Sequence, residues 1–262
     1  MKKLVWITGG GSGLGAALAK AHADNGWQVI ISGRNQLKLD AVSSTHASIS
    51  AMPLDISNLQ QCEVLVSEII KAQEKSGQLK RVILNAGTCE YIDQGKIEAE
   101  LFSRVFATNF QGTVNCLQPL INQFEKKPLQ IAVVSSISSL LPMPRAEAYG
   151  SSKAALDYLV ESLRCSLFDS KIKLCLIQPG FIKTPLTEKN NFPMPGIISA
   201  EQAAKKIFSA MNQNKPVIRF PKRLHWPMRL IAMLPVIFRS KLLQSLTQKP
   251  HRKMSITANR EQ

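Results

Sequence analysis

Tyr149 and Lys153 stand four residues apart in a stretch of helical spacing, so both side chains project from one face of a helix and can approach each other. A tyrosine hydroxyl is a weak acid with a pKa near about 10, and an adjacent ammonium stabilises its phenolate and is expected to draw that value toward the working range. Such a phenol exchanges a proton with a carbonyl or alcohol oxygen as general acid or base. Ser136 closes an expected strand and offers a hydroxyl that orients the same oxygen.

A second cluster sits near the amino terminus, in Thr8-Gly9-Gly10-Gly11-Ser12-Gly13-Leu14-Gly15. Glycines after a strand and before a helix permit a tight turn and let backbone N–H groups approach a pyrophosphate at a helix N-terminus, where the helix dipole also favours it. An enzyme preferring NAD usually carries an acid about twenty residues further on, at the end of the second strand. No Asp or Glu occurs here between Asp24 and Asp40, and the strand ends in Ser32-Gly33-Arg34-Asn35. Arg34 therefore stands where a 2′-phosphate would sit, and Arg–phosphate pairing is strong and directional. The expected cofactor is NADP, in preference to NAD.

The elements that must position these groups follow from the apolar pattern. Strands are expected at Leu4–Thr8, Gln28–Ser32, Ser48–Pro53, Arg81–Leu84, Gln130–Ser135, Lys173–Gln178 and Val217–Phe220. Between the first two, Leu14, Ala17, Leu18 and Ala21 fall at helical spacing, and Asn25-Gly26 supplies a left-handed stop. Further helices are expected at about 58–75, 98–123, 147–169 and 199–213, the last capped by Ser199. Pro179 to Pro195 carries four prolines and reads as a long loop. Alternating βα units predict a doubly wound α/β fold around a seven-stranded parallel sheet.

Composition narrows the class. At 262 residues the chain is long enough for one large α/β domain that buries roughly three quarters of its unfolded surface. Hydrophobic residues at 45% and charged residues at 19% exclude a disordered or fibrous chain. The five cysteines are scattered without a CxxC pair, which suggests neither a disulfide framework nor a zinc site and points to a reducing, cytoplasmic setting. The four histidines show no ligand spacing, so no metal site is expected. Leu4-Val5-Trp6-Ile7 after two lysines is too short for a secretory leader and is read as the first strand.

Thr8-Gly9 with Gly13 and Gly15, Asn85-Ala86-Gly87 after the fourth strand, Ser136 thirteen residues before Tyr149, and Pro179-Gly180 followed by Thr184 occur together in order. The set resembles the short-chain dehydrogenase/reductase (SDR) family, and its motifs run from residue 8 to 184. The resemblance implies a single domain of Rossmann type that exchanges a hydride between a nicotinamide and a carbonyl or secondary alcohol, with Tyr149 as acid and base. It selects Ser136 over the adjacent Ser135. It gives Lys153 a bond to the nicotinamide ribose and Asn109, in Ala107-Thr108-Asn109-Phe110, a water in a proton relay. It places Asp55 and Ile56 near the adenine, and sets Gly9, Gly11, Ser12, Gly13, Leu14 and Gly15 around the pyrophosphate with Arg34 beyond. Ala86, Gly87, Pro179, Gly180, Ile182 and Thr184 complete the cofactor contacts implied, together with Tyr149 and Lys153. Asn85 matches a residue that steadies the central sheet, and Asp55 reads equally well as an Asx turn. The family also implies a homo-oligomer, dimer or tetramer, built on the long helices after strands four and five. The rival expectation is a non-catalytic NADP-binding or redox-sensing interaction protein; such a module has no chemical need for Ser136, Tyr149 and Lys153 together.

Substrate contacts are expected from Thr88, Glu90 and Tyr91, from Ser138 to Met143, and from Phe181, Leu186 and the loop to Pro195, a mostly apolar set that suits a hydrophobic carbonyl or alcohol. The net charge of +15 lies mainly in the tail: residues 211–262 hold eleven Lys/Arg and one acid, a balance of +10, which leaves +5 for the rest. Residues 1–220 are thus expected to form the catalytic domain and 221–262 an extension, helical and amphipathic to about 244 and disordered from His251. Arg229, Pro227 and Pro235 interrupt the apolar run, so it is not a transmembrane span, while basic, aromatic and aliphatic side chains together suit an interfacial helix on anionic lipid. The competing expectation is a segment packed over its own pocket or a neighbouring subunit. Basic charge without a recognisable module gives little reason to expect nucleic-acid binding.

Overall fold

The computed structural model describes residues 2–92, 95–188, 190 and 192–247. Strands β1 (Lys3–Thr8), β2 (Gln28–Ser32), β3 (Ile49–Ala51), β4 (Gln78–Leu84), β5 (Leu129–Val134) and β6 (Ile172–Pro179) alternate with helices α1 (Gly13–Ala23), α2 (Gln36–Ser43), α3 (Leu59–Ser76), α4 (Ala99–Phe106), α5 (Gly112–Phe124) and α6 (Glu147–Ser166). A two-residue pair, β7 (Ile182–Lys183) and β8 (Ile198–Ser199), precedes α7 (Ala200–Asn212) and β9 (Val217–Phe220). The main sheet has seven strands in the order β3-β2-β1-β4-β5-β6-β9, all paired in parallel. These are the seven expected strands.

Apart from the exposed Lys3, every residue of β1 is buried, and β5 is buried throughout. That is the continuous apolar reading expected of a parallel strand covered on both faces. One core joins β1, β2 and β6 to α1 and α7, and the other joins β1, β4 and β5 to α3, α5 and α6. Gly26, with φ of +77°, supplies the left-handed stop after α1. Ser199 caps α7 in a reciprocal capping box with Gln202.

Two expectations change in detail. The helix foreseen over 98–123 is interrupted by a π-helical turn, Ala107–Gln111, that carries Asn109; an extra residue in a helix re-aims its neighbours and recurs at functional sites. The stretch foreseen as loop from Pro179 is tied down by β7, which pairs with β8 through Ile182 and Ile198.

A buried polar cluster fastens the sheet to α1 and α7. Arg81, 3% exposed, donates through Nε to Gln130 Oε1 at 2.8 Å and through a terminal nitrogen to Asn212 Oδ1 at 3.0 Å. Its other terminal nitrogen lies 3.0 Å from His22 Nε2, and the guanidinium lies 4.7 Å from the centre of the Trp27 ring. Arginine can only donate, so Nε2 accepts and His22 carries its proton on Nδ1, which faces the Leu18 carbonyl oxygen at 2.8 Å. Burial, and then the Arg81 charge, hold His22 down from 6.5 to about 3. Because the folded value lies below the unfolded one, this histidine contributes stability that is complete above pH 6.5 and is lost as pH falls toward 3. The urea midpoint should therefore decline with acidification already between about pH 6.5 and 5, above the range where most carboxylates titrate. His22→Gln should flatten that slope, and an unchanged slope would show that His22 is not its source.

Candidate active site

The carboxyl ends of β1 and β4 lie side by side where the strand order reverses, the crevice in which doubly wound sheets bind ligands. Thr8 Oγ1 accepts from the backbone N–H groups of Asn85 and Ala86 at 3.0 and 3.1 Å. Asn85 Nδ2 returns hydrogen bonds to the carbonyl oxygens of Thr8 and Gly9 at 3.1 and 3.2 Å. Asn85 thus ties the glycine loop to the end of β4. Gly9 has φ of +66°, and a Cβ there would fall 2.8 Å from the Cα of Ala86. Ser12 stands at the N-cap of α1 without a capping hydrogen bond, whereas Asn35, Asn58 and Ser199 cap α2, α3 and α7 with their side chains. The first turn of α1 therefore presents uncapped donors, the arrangement that receives a phosphate.

A cleft of about 370 Å³ opens above this loop. Gly9, Ser12, Gly13, Leu14, Arg34, Asp55, Ile56, Asn85, Ala86 and Gly87 line one part of it, and Ser136, Tyr149, Lys153, Pro179, Gly180, Ile182 and Thr184 the other. Of the catalytic and cofactor residues singled out in the sequence, Gly11, Gly15 and Asn109 stay off its wall, and of the expected substrate contacts Thr88 and Leu186 line it whereas Glu90, Tyr91, Ser138 to Met143 and Phe181 do not. Gly11 faces Lys38 on α2, and Gly15 is pressed against the Gly9 carbonyl. Arg34 is exposed at the rim. Asp55 Oδ1 accepts from the Ser57 N–H at 3.0 Å and the Ser57 hydroxyl at 2.8 Å, an Asx turn. Burial raises this carboxyl, but the Ser57 hydrogen bonds and the Arg34 charge outweigh it and leave its pKa lowered.

Tyr149 and Lys153 meet on α6 as their spacing requires, with the ammonium 5.8 Å from the ring centre. Lys153 Nζ donates to the Val134 carbonyl oxygen at 2.9 Å, and Ser135 Oγ donates to the Lys153 carbonyl oxygen at 3.1 Å. The expected lowering of the phenol is not found. Burial strips the phenolate of water and the neighbouring Cys89 opposes a second negative charge, so Tyr149 is pushed up to about 12 although Ser136 pulls the other way. Burial likewise lowers Lys153 to about 8, against the opposing charges of Asp157 and Cys89. At neutral pH the tyrosine is a protonated phenol, the state of a proton donor.

Asn109 is fully buried. Its Oδ1 accepts from the Thr88 N–H at 2.8 Å, and its Nδ2 donates to the Thr88 carbonyl oxygen at 2.9 Å and to Ser152 Oγ at 3.0 Å. A Cβ on Gly87 would lie 3.1 Å from Asn109 Oδ1 and 3.4 Å from Lys153 Nζ. The π-helical turn therefore fixes the strand-four loop beside the lysine.

Several residues at the site were not foreseen. Cys89 follows directly on the Asn85-Ala86-Gly87-Thr88 run and lies near enough to act on both Tyr149 and Lys153. Asp157 Oδ2 accepts from Gln178 Nε2, which also donates to Ser139 Oγ at 3.2 Å, and Gln178 Oε1 accepts from Arg219. Ser139 Oγ donates in turn to the Ser136 carbonyl oxygen at 2.6 Å, so this chain backs the serine. Asp157 is four residues beyond Lys153, and the repeated spacing at 149, 153 and 157 is a signal that marks its face of the helix. Nothing local marks Gln178 or Arg219. Tyr91, one of the expected substrate contacts, lies off the cleft wall and donates to Asn190 Oδ1 at 2.6 Å. Its ring meets Phe192 edge-on at 5.8 Å, and Phe192 meets Phe181 at 6.1 Å.

A doubly wound parallel sheet with an uncapped glycine turn at its switch point, and a tyrosine–lysine pair in the same crevice, is the architecture of a dinucleotide-binding oxidoreductase. The family profile described as short chain dehydrogenase matches residues 3–194, and the chain belongs to that family. An uncharacterized oxidoreductase of Myxococcus xanthus is 29% identical over 232 residues, covering 87% of this chain and 91% of that protein. The 11-beta-hydroxysteroid dehydrogenase-like 2 of Arabidopsis thaliana is 28% identical over 246 residues, covering 90% of this chain and 79% of its own. Among solved structures, ElxO with NADP bound superposes with a TM-score of 0.74 at 26% identity, covering 84% of this chain and 97% of that one.

Proposed function

We propose that the protein reduces a hydrophobic carbonyl, or oxidises the matching secondary alcohol, by hydride exchange with NADP(H). The observation that carries this reading is the convergence of Ser136, Tyr149 and Lys153 in one cleft with the glycine turn. The uncapped start of α1 fits a pyrophosphate, Arg34 at the rim fits a 2′-phosphate, and Asp55 and Ile56 on the cleft wall would face the adenine. Lys153 and the Pro179-Gly180 to Thr184 segment would hold the nicotinamide end, where a bound nicotinamide supplies the hydride. Ser136 orients the substrate oxygen. Tyr149, a protonated phenol at neutral pH, gives its proton to that oxygen during reduction. Asn109 keeps the Thr88 backbone and Ser152 in place behind Lys153.

Pro185 and Leu186 on the cleft wall favour an apolar substrate, and the relatives named for 11-beta-hydroxysteroids favour the same class. The long helices after β4 and β5 would carry an oligomer, and on α6 the exposed Tyr158 lies on such a free face. Incubation with a panel of hydrophobic carbonyls should consume NADPH, read by absorbance; no turnover with any carbonyl, and none with the alcohols and NADP, would refute the reading. In the same assay Arg34→Asp should raise the Kd for NADPH by about tenfold or more, since a charge-assisted pair is lost and a repulsion added, and leave that for NADH nearly unchanged. Equal loss for both cofactors would remove Arg34 from the phosphate site.

A further inference from the structure

Beyond β9 the chain turns at Pro221 into α8 (Lys222–Ala232) and, after a break at Met233–Pro235, into α9 (Val236–Thr247). The inner side of this pair is anchored. The Gly180 Cβ position lies 3.0 Å from Pro221 and 3.2 Å from Leu224, that of Gly196 lies 3.2 Å from Pro221, and His225 and Leu243 are buried. The outer side is bare. Trp226, Leu230 and Met233 follow one another at four and three residues, one stripe of a helix. Val236, Ile237 and Phe238 follow at the start of α9, and these six side chains are 58 to 76% exposed. Single exposed apolar residues are ordinary, but six within thirteen positions make a patch of the kind that marks an interaction site.

Charge decides what covers it. Residues 222–247 contain Lys222, Arg223, Arg229, Arg239 and Lys241 and no acid. A second copy docked through this face in a two-fold contact would set the same cations against each other with no carboxylate between them. The segment after residue 247 is a poor cover as well, with four Lys/Arg against one Glu and Met254 and Ile256 as its large apolar residues. Among the described residues no helix is long and apolar enough to cross a membrane. An apolar knuckle rimmed by cations, with no spanning helix, matches a surface of anionic headgroups over acyl chains.

We propose that α8 and α9 form a peripheral docking surface for an anionic lipid bilayer. Trp226, Ile237 and Phe238 enter the headgroup–acyl boundary while the five cations meet the phosphates. Pro221 and Leu224 on the inner side of α8 pack on Gly180 of the cleft wall, so the docking surface is joined directly to that wall. Docking would hold the enzyme where apolar carbonyls partition, a consequence that rests on the function proposed above.

Vesicle binding tests the surface without any turnover, so its result is independent of that function. The full-length protein should co-sediment with phosphatidylcholine vesicles containing phosphatidylglycerol, and much less with phosphatidylcholine alone. Raising salt should release most of the protein and leave a resistant fraction from apolar insertion. Ile237→Ser with Phe238→Ser, both exposed, should weaken binding at least about tenfold while circular dichroism and NADPH affinity stay unchanged. No sedimentation at any salt, or equal binding to neutral and anionic vesicles, would overturn the proposal. So would full-length protein that ignores vesicles but falls from oligomer to monomer on the double substitution, the result expected of a second copy.

Discussion

Tyr149→Phe is expected to lower kcat for carbonyl reduction by about 10²–10⁴-fold, the contribution typical of a positioned general acid, while the Kd for NADPH shifts by less than about twofold. The substitution deletes one hydroxyl and keeps the ring, so the packing on α6 is preserved. Burial holds the phenol at about 12, so the wild-type residue keeps its proton throughout the neutral range and has one to give without prior activation. The reverse reaction must remove that proton and should accelerate with rising pH. Lys153, held down to about 8 by burial, loses its charge as pH rises through that value, and the roles proposed for it toward the phenolate and the cofactor would go with it. Lys153→Ala should accordingly harm both kcat and NADPH affinity. Steady-state kinetics on a confirmed substrate, paired with fluorescence titration of NADPH, separates the two variants; ordinary turnover by the Phe variant would remove Tyr149 from the role of acid.

Gly15→Ala should abolish measurable NADPH binding and lower the urea midpoint. In an ordinary helix this change is favourable by about 1 kcal/mol, because alanine restricts the unfolded chain and glycine does not. Here the new Cβ would fall 2.1 Å from the Gly9 carbonyl oxygen and 2.8 Å from Asn85 Nδ2. Neither neighbour can retreat: Gly9 is held in its turn, and Asn85 is hydrogen-bonded to Thr8 and Gly9. The helix start must shift outward, at a cost of about 1–3 kcal/mol or more, and the donors of its first turn move with it. Gly26→Ala provides the contrast. Its Cβ would meet nothing within 4 Å, so only the strain of φ at +77° is added, and cofactor binding should persist. Wild-type NADPH affinity in the Gly15 variant would show that this close approach is not what shapes the site.

The amino-acid sequence by itself determined the seven parallel strands, their alternation with helices, the glycine turn and the pairing of Tyr149 with Lys153. Each of these is a short-range property. Apolar runs of four to eight residues mark buried strands, a spacing of four marks a helical face, and glycines between strand and helix mark the turn. The π-helical interruption at Asn109 was hidden because one extra residue in a helix leaves the apolar pattern nearly intact. The Asp157–Gln178–Arg219 chain behind Ser136 was hidden because its members lie on α6, β6 and β9, and only the pairing of β6 with β9 brings Gln178 beside Arg219. Tertiary structure also decided the sign of the Tyr149 shift. Helical spacing supplies a nearby ammonium, but desolvation depends on how completely segments distant in sequence close over the phenol, and here burial is the largest cause and outweighs the Ser136 hydrogen bond. The tail divides the same way: its basic and apolar composition was legible in the sequence, whereas which apolar residues face the body of the protein and which face outward was settled by the packing of α8 against Gly180 and Gly196.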